Sequence, residues 1–448
     1  MPFFAQEEDD MEHSAIRREF FQYTSQNMLG MMGLSCYILA DTFFISQGLG
    51  ADGLTALNLA IPFYNFIQGA GLMLGMGGAT KFSILRGRGR EEEAQGVFTR
   101  SLILAVLVSL LFVIPGVCFA PQMSTLLGGT GEVHGMTATY LRVLLTFAPA
   151  FLLNNVTLCF VRNDGAPRLA MAAMLGGSFS NIVLDYIFIF PCGMGMFGAV
   201  FATGLAPVIS LVILSGHFRK RTLVPRRSGL NFRGTGEQVM LGAPSLISEL
   251  SSGLVLVLFN FIILDLAGNL GVAGYGVVAN IYLVVVALFT GLGQGIQPLV
   301  SSAWGRGEEH TARTVYRYAL IAAFVLAALV YAGSVLLADP IVSVFNREGD
   351  LTLQEIAVRG LKLYFLAFFF AGFNIVTAVF FACLEKSRSG FLVSILRGFV
   401  LIVPLALLMS RLLGMDGVWL SAPVTEALTA LTAVILLRWS RGKGQTAT

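Results

Sequence analysis

The sequence predicts an all-α polytopic membrane protein of about twelve transmembrane helices, arranged as two six-helix bundles related by a pseudo-two-fold axis. Three observations carry this prediction. The 448-residue chain is 56% hydrophobic and only 12% charged, with a mean hydropathy of +0.77, whereas a soluble domain carries about 25% charged residues. Apolar stretches of about 20 residues, enough to cross the hydrocarbon core as helix, recur along the whole chain. Short motifs also repeat in the same order at an offset of roughly 220 residues.

Taken in order, the opening MPFFAQEEDDMEHSAIRREF is acidic and then basic, with no apolar core before a cleavage site. It reads as a retained cytoplasmic segment (1–20), not a signal peptide. A first bundle (21–218) follows, with spans near 21–47, 54–82, 96–119, 138–161, 169–190 and 196–218. The basic stretch RKRTLVPRRSGLNFRGTG forms a cytoplasmic linker (219–236). A second bundle (237–438) has spans near 237–266, 272–302, 312–337, 361–384, 391–412 and 418–438, and a short cytoplasmic tail (439–448) ends the chain.

Lys and Arg fix the expected orientation. Arg86, Arg88 and Arg90 follow the second span, Arg162 and Arg168 the fourth, and Arg219, Lys220, Arg221, Arg226, Arg227 and Arg233 the sixth. Arg306 and Arg313 follow the eighth, Lys386 and Arg388 the tenth, and Arg441 and Lys443 the last. The intervening connections 48–53, 191–195 and 268–271 hold none. The positive-inside rule therefore places both termini in the cytoplasm. Cations recurring once per helix pair, rather than on one contiguous surface, argue against nucleic-acid binding.

The repeat pairs Asn154-Asn155-Val156-Thr157 with Asn374-Ile375-Val376-Thr377, Gly87-Arg88-Gly89 with Gly305-Arg306-Gly307, and Gly195-Met196-Phe197-Gly198 with Gly414-Met415-Asp416-Gly417. Two halves in the same orientation are a common architecture of secondary transporters, with substrate held between them. The glycines Gly71, Gly75, Gly77 and Gly78, with Gly291, Gly293 and Gly295, are expected to let helices approach closely.

Chemistry is expected where charge enters hydrocarbon. Asp185 lies in the middle of the apolar run 176–203, and Asn181 shares its helix face four positions earlier. A carboxylate there costs about 3 kcal/mol on insertion scales, so it faces a cavity or a partner. Asp41 lies toward the outer end of the first span and Thr203 on the sixth. Carboxylate, amide and hydroxyl oxygens are hard ligands for an alkali cation, and two close carboxylates make a proton-loading site. Asp41, Asn181, Asp185 and Thr203 are thus candidate ion-coupling residues for H+ or Na+; spacing alone does not bring the four together. The position matching Asp185 in the second half falls near Pro404, so coupling is expected to be asymmetric. Glu249, Asn154 and Asn155 are candidate cavity residues. Arg397 and Glu426 are expected to pair and close the second bundle, because buried charges need partners.

The run Arg162-Asn163-Asp164-Gly165-Ala166-Pro167-Arg168, then Asn181-Ile182-Val183-Leu184-Asp185, then Gly195…Gly198-Ala199 and Ala202-Thr203, resembles the multidrug and toxic compound extrusion (MATE) family, in its DinF/MepA-like bacterial and archaeal branch. The resemblance runs from about the first span to the last. It implies a V-shaped pair of bundles and a cation-coupled antiporter. It also implies an ion site at Asp41, Asn181, Asp185 and Thr203. The tenth-span acid of other branches has no counterpart between Tyr364 and Cys383.

The expected function is export of lipophilic cationic compounds in exchange for H+ or Na+ by alternating access, as a monomer in a bacterial or archaeal cell membrane. Small-molecule substrates and the bilayer are the expected partners, and no cofactor is expected. Alternatives are a lipid-linked precursor flippase, an ion channel and an intramembrane enzyme. An enzyme is disfavoured because the sequence has no GxSxG or HExxH motif. The five cysteines are scattered without metal spacing, and the histidines His13, His134, His217 and His310 are read as lying in polar connections.

Overall fold

Hydrocarbon offers the backbone no hydrogen-bond partner, so each apolar span closes its own bonds as a helix. The computed structural model describes residues 2–220, 222–226, 232–346 and 349–442, and every regular element among them is helical. Arg221, Arg227 and Lys443, with parts of the expected linker and tail, lie outside the described residues.

The longest helix, α1 (Pro2–Gly87), is a hairpin that turns at Gly50, φ 67°. Tyr37 and Tyr64, 27 positions apart, hydrogen-bond to each other; an unbroken helix would hold them about 40 Å apart. The same device turns α7 (Thr235–Arg306) at Gly268, φ 62°, bringing the Phe259 and Tyr275 rings to 5.6 Å. Only glycine adopts such positive φ without a Cβ penalty.

The first bundle holds both arms of α1, α2 (Glu91–Leu126), α3 (Gly131–Thr146), α4 (Ala148–Asn163), α5 (Pro167–Ile189) and α6 (Gly195–Ser215). The second holds both arms of α7, α8 (Glu309–Leu336), the short α9 (Ala338–Phe345), α10 (Leu351–Tyr364), α11 (Phe368–Cys383), α12 (Ser387–Ile395), α13 (Ile402–Leu413) and α14 (Met415–Gly442). Nine described helical stretches are long and apolar enough to span, and α3 with α4, bent by 45°, makes a tenth. Dividing α1 and α7 at their turns brings the total to twelve, six per bundle.

Several spans are broken where continuous helices were expected. Pro149, at the start of α4, marks the bend within 138–161. Pro404 has no N–H to give the Val400 carbonyl, and the backbone widens into a π-helical turn over Leu396–Val400.

Each bundle has its own apolar core, one running from Ile45 to Leu223 and the other centred on Phe259 to Trp419. The first helix starts ahead of the span expected from residue 21. Helix α1 already runs through 2–20, and Ile16 and Phe20 pack on the second core, with Phe20 against Tyr318 at 5.8 Å. Burying Phe20 extends the helix past the span.

The basic connections gather at one face, where the halves meet. The main chain of α1 approaches that of α7 there: a Cβ on Gly242 would stand 1.8 Å from the Met73 carbonyl oxygen, and one on Gly77 2.0 Å from that of Gln238. Gly291 and Gly295 likewise sit against Met28 and Thr24 backbone. Lys81 bridges to Glu237 and Glu385, each at 2.8 Å, and Arg88 also reaches Glu385. Arg162 is fully buried in this seam, donating to Asn27 at 2.7 Å and Gln294 at 3.0 Å. His217 lies in the connection after α6, as expected, and is buried there against Asp164 at 2.6 Å, because that chain folds back onto the first bundle. His134 and His310 lie in the first turns of α3 and α8, and His13 within α1.

Candidate functional site

Asp185 lies on the buried face of α5, which its i, i+4 spacing shares with Asn181. Small residues admit the close packing behind that face: Gly177 stands against the Ala206 carbonyl of α6. Asp185 and Asn181 are 0% exposed, Thr203 of α6 2% and Asp41 of α1 6%. The structure brings all four together. The Asp41 and Asp185 carboxyl groups are within hydrogen-bonding reach of each other. With the Asn181 amide oriented to satisfy both its ends, Nδ2 donates to Asp185 Oδ2 at 3.0 Å and Oδ1 accepts from the Thr203 N–H at 3.3 Å. Tyr140, buried in the same bundle, brings its hydroxyl near Thr203.

One oxygen of each carboxyl group, Asp41 Oδ1 and Asp185 Oδ1, is buried without a hydrogen-bond partner. A buried acceptor left unpaired costs about 1–3 kcal/mol. Two bare carboxylates at this separation also repel. A proton or a small cation between them relieves both penalties, and the carboxylate oxygens suit H+ or Na+, with the Asn181 N–H holding Asp185 Oδ2 in place.

A polar chain leads from this cluster toward the basic face. Asn155 Nδ2 donates to Gln68 Oε1 at 2.6 Å, Gln68 Nε2 donates to Tyr64 Oη at 2.8 Å, and Tyr64 bonds Tyr37, one helical turn from Asp41. Asn155 is therefore a link within the first bundle. Asn154 keeps a buried, unpartnered Oδ1. Glu249, on the first arm of α7, faces the first bundle across the seam; its Cβ lies 3.1 Å from where a Gly69 Cβ would stand. Sequence reading missed Tyr37, Tyr64, Gln68 and Tyr140. The i, i+4 pairs Tyr37/Asp41 and Tyr64/Gln68 were the available signal, but they lie on different arms of a hairpin.

The second bundle differs. Arg397, raised on the π-helical turn, donates to Glu426 Oε1 through Nε at 3.0 Å and Nη2 at 2.7 Å. Asn374 Nδ2 donates to Glu426 Oε2 at 2.7 Å and to its carbonyl oxygen at 2.8 Å. The carboxylate is held by a side-chain cation, as the pairing of these two residues requires.

Twin helical bundles meeting at a seam, with a buried oxygen-rich cluster in one of them, define a membrane transporter of the two-repeat type. The chain belongs to the MatE family, whose model matches residues 28–187 and 244–408, one segment in each half. It is 23% identical over 435 residues to multidrug export protein MepA of Staphylococcus saprophyticus, covering 95% of this chain and 94% of that one. Among solved structures it is similar to the outward-facing conformation of a multidrug resistance MATE family transporter of the MOP superfamily, with a TM-score of 0.87, 27% identity and coverage of 95% and 96%. It is also similar to a MOP superfamily transporter from Pyrococcus furiosus, described as having a binding pocket of reverse polarity that suggests a different function; there the TM-score is 0.85, the identity 26% and the coverage 95% and 96%. These relatives are transporters, and the protein is a transporter rather than an enzyme.

Proposed function

We propose that the protein is a secondary active multidrug exporter that moves lipophilic cations out of the cell in exchange for H+ or Na+ bound at Asp41, Asn181, Asp185 and Thr203. The observation that carries this reading is the buried Asp41–Asp185 pair with its two unpartnered oxygens. A ligand shifts a conformational equilibrium only through different affinity for the two states. An empty pair is penalised by burial and repulsion, so the first bundle relaxes toward water or a cationic substrate; a loaded pair lets the helices close. The curated relative's name supports drug export, and the closed basic face, read as cytoplasmic, supports an outward-facing state. The working unit is a monomer in a bacterial or archaeal cell membrane, with both termini cytoplasmic. Glu249 and Asn154 contribute to the cavity between the halves.

The test is flux in proteoliposomes with H+ and Na+ gradients imposed separately, against cationic dyes, neutral drugs and organic anions. Gradient-driven movement of cations supports the reading. Transport confined to anions or lipid-linked sugars would overturn the substrate class, and ion leak without solute counterflux would indicate a channel.

A further inference from the structure

Arg162, next to last in α4, is 0% exposed, and no carboxylate among the described residues reaches it. Asp164, the acid two positions on, is occupied by Arg86 and His217 instead. A guanidinium carries five N–H donors and does not lose its proton. Here Nη1 donates to Asn27 Oδ1 at 2.7 Å and to Gln294 Oε1 at 3.0 Å. Nη2 meets only sulfur, a weak acceptor, at 3.2 Å from Met76 and 3.6 Å from Cys159, and Nε has no partner. The residue beside it is the opposite case. Asn163 accepts from Ser83 at 2.6 Å and exchanges bonds with Gln297 at 2.8 and 3.1 Å, and Gln297 also donates to Thr80 at 3.0 Å. Gln294 and Gln297 share one face of the second arm of α7. Adjacent turns of the seam thus hold a satisfied amide clasp and a cation with no counter-charge.

A buried charge without a counter-charge is costly, and the cost ends when water reaches it or the charge is removed. In this protein the cost belongs to the closed seam: Arg162 and Gln294 come from different bundles, and parting them admits water from the basic face. We propose that Arg162 is a positioning residue for alternating access, its stranded charge weakening the closed seam so that closed and open states stay near enough in free energy to interconvert. The amide clasp and the Lys81 and Arg88 bridges fasten the face, and Arg162 limits how firmly. An ion shifts the equilibrium only by its difference in affinity for the two states, so a seam fastened much more tightly would not yield to it. The inference rests on the exporter reading above, but its test needs no transport. A residue that merely fastened Asn27 to Gln294 would act with the opposite sign.

The test is the ratio of open to closed populations of the full-length protein in nanodiscs, at one pH and one Na+ concentration. It is read from distance distributions between spin labels at Arg168 and Arg313. Arg162→Gln removes the charge and keeps an amide for the two oxygens; it is expected to lower the open-to-closed ratio about threefold or more. Arg162→Met, neutral and apolar, should move the ratio the same way and serves if the Gln variant does not fold. Arg162→Lys keeps the charge and should hold the wild-type ratio. Gln294→Leu takes an acceptor from the same cation and should raise the ratio, opposite to Arg162→Gln. An open-to-closed ratio that rises or stays unchanged in the neutral variants would overturn the proposal and make Arg162 a fastening. A Lys variant that behaves like the neutral ones would overturn it too, as would a single wild-type distance that no variant alters. Expected ratios in a protein that moves no solute would leave this inference standing and remove the exporter reading.

Discussion

Asp185 and Glu426 are both buried carboxylates, and their partners set them apart. Asp185 faces another acid and keeps an unpartnered oxygen; Glu426 accepts from a guanidinium and an amide. Asp185→Asn removes a charge and a proton site while keeping the side-chain size. Folded, inserted variant protein is expected to lose the response of efflux to either ion gradient by tenfold or more, measured in proteoliposomes. A normal gradient response would move the coupling site, with Glu249 next to be tried. Removing one member of a buried ion pair costs about 3–5 kcal/mol, whereas replacing both with apolar groups is often neutral. Arg397→Met should therefore lower the unfolding temperature in detergent clearly, and Arg397→Met/Glu426→Leu should recover most of the loss. The Asn374 amide keeps its bond to the Glu426 carbonyl in the double variant. A double variant no more stable than the single one would show that the pair contributes more than mutual neutralisation.

At the scale of elements, the connection after α4 and the one after α11 are copies with one telling difference. Gly165 has φ 79° and Glu385 φ 59°, and these two left-handed turns lie 220 positions apart, at the offset of the repeat. The second copy places a residue with a Cβ where glycine is favoured, at a strain of about 1–2 kcal/mol. That residue is the one that bonds Lys81 and Arg88 across the seam. Glu385→Gly is expected to relieve the turn yet loosen the seam, seen as a longer mean distance between spin labels at Arg168 and Arg313. An unchanged distance would show that the glycine contacts alone hold the halves together. Gly242→Ala acts on the same seam by a different route, placing a Cβ against the Met73 carbonyl where neither backbone can yield. It should spread the same label pair more than Glu385→Gly does.

At the scale of the whole molecule, closure at the basic face depends on pH with a sign that the seam fixes. Burial pushes the Glu385 carboxyl up, but hydrogen bonds from Lys81 and Arg88 outweigh it and hold it below the usual carboxylate range. Its contribution to closure is therefore present above the ordinary carboxylate pKa of about 4.3 and is lost as pH falls through the lowered value. Label distances across the seam should lengthen in wild type once acidification passes below the ordinary carboxylate range, and Glu385→Gln should remove that component. Topology is tested by cysteines placed near Arg226 and Gly268, which should label from opposite sides of the membrane; labelling from one side would contradict twelve spans.

Twelve spans, two halves and the alternation of basic connections were legible in the sequence because each is a local property. Span length is set by bilayer thickness, and Lys and Arg placement is read residue by residue. Asp41, Asn181, Asp185 and Thr203 were legible as residue types, because a charged or amide side chain in an apolar run has few neutral explanations. Their convergence was not, since it depends on how the first arm of α1 packs against α5 and α6. Broken spans were hidden for a related reason: Pro149 and Pro404 bring no N–H to the helix, but neighbouring helices decide whether the chain bends. The packing of Ile16 and Phe20 on the second bundle, the burial of Arg162 and His217, and the role of Glu385 at the seam were decided by tertiary structure alone. Each joins residues more than 50 positions apart, and the energy of such a contact depends on its partner, which no window of local sequence contains.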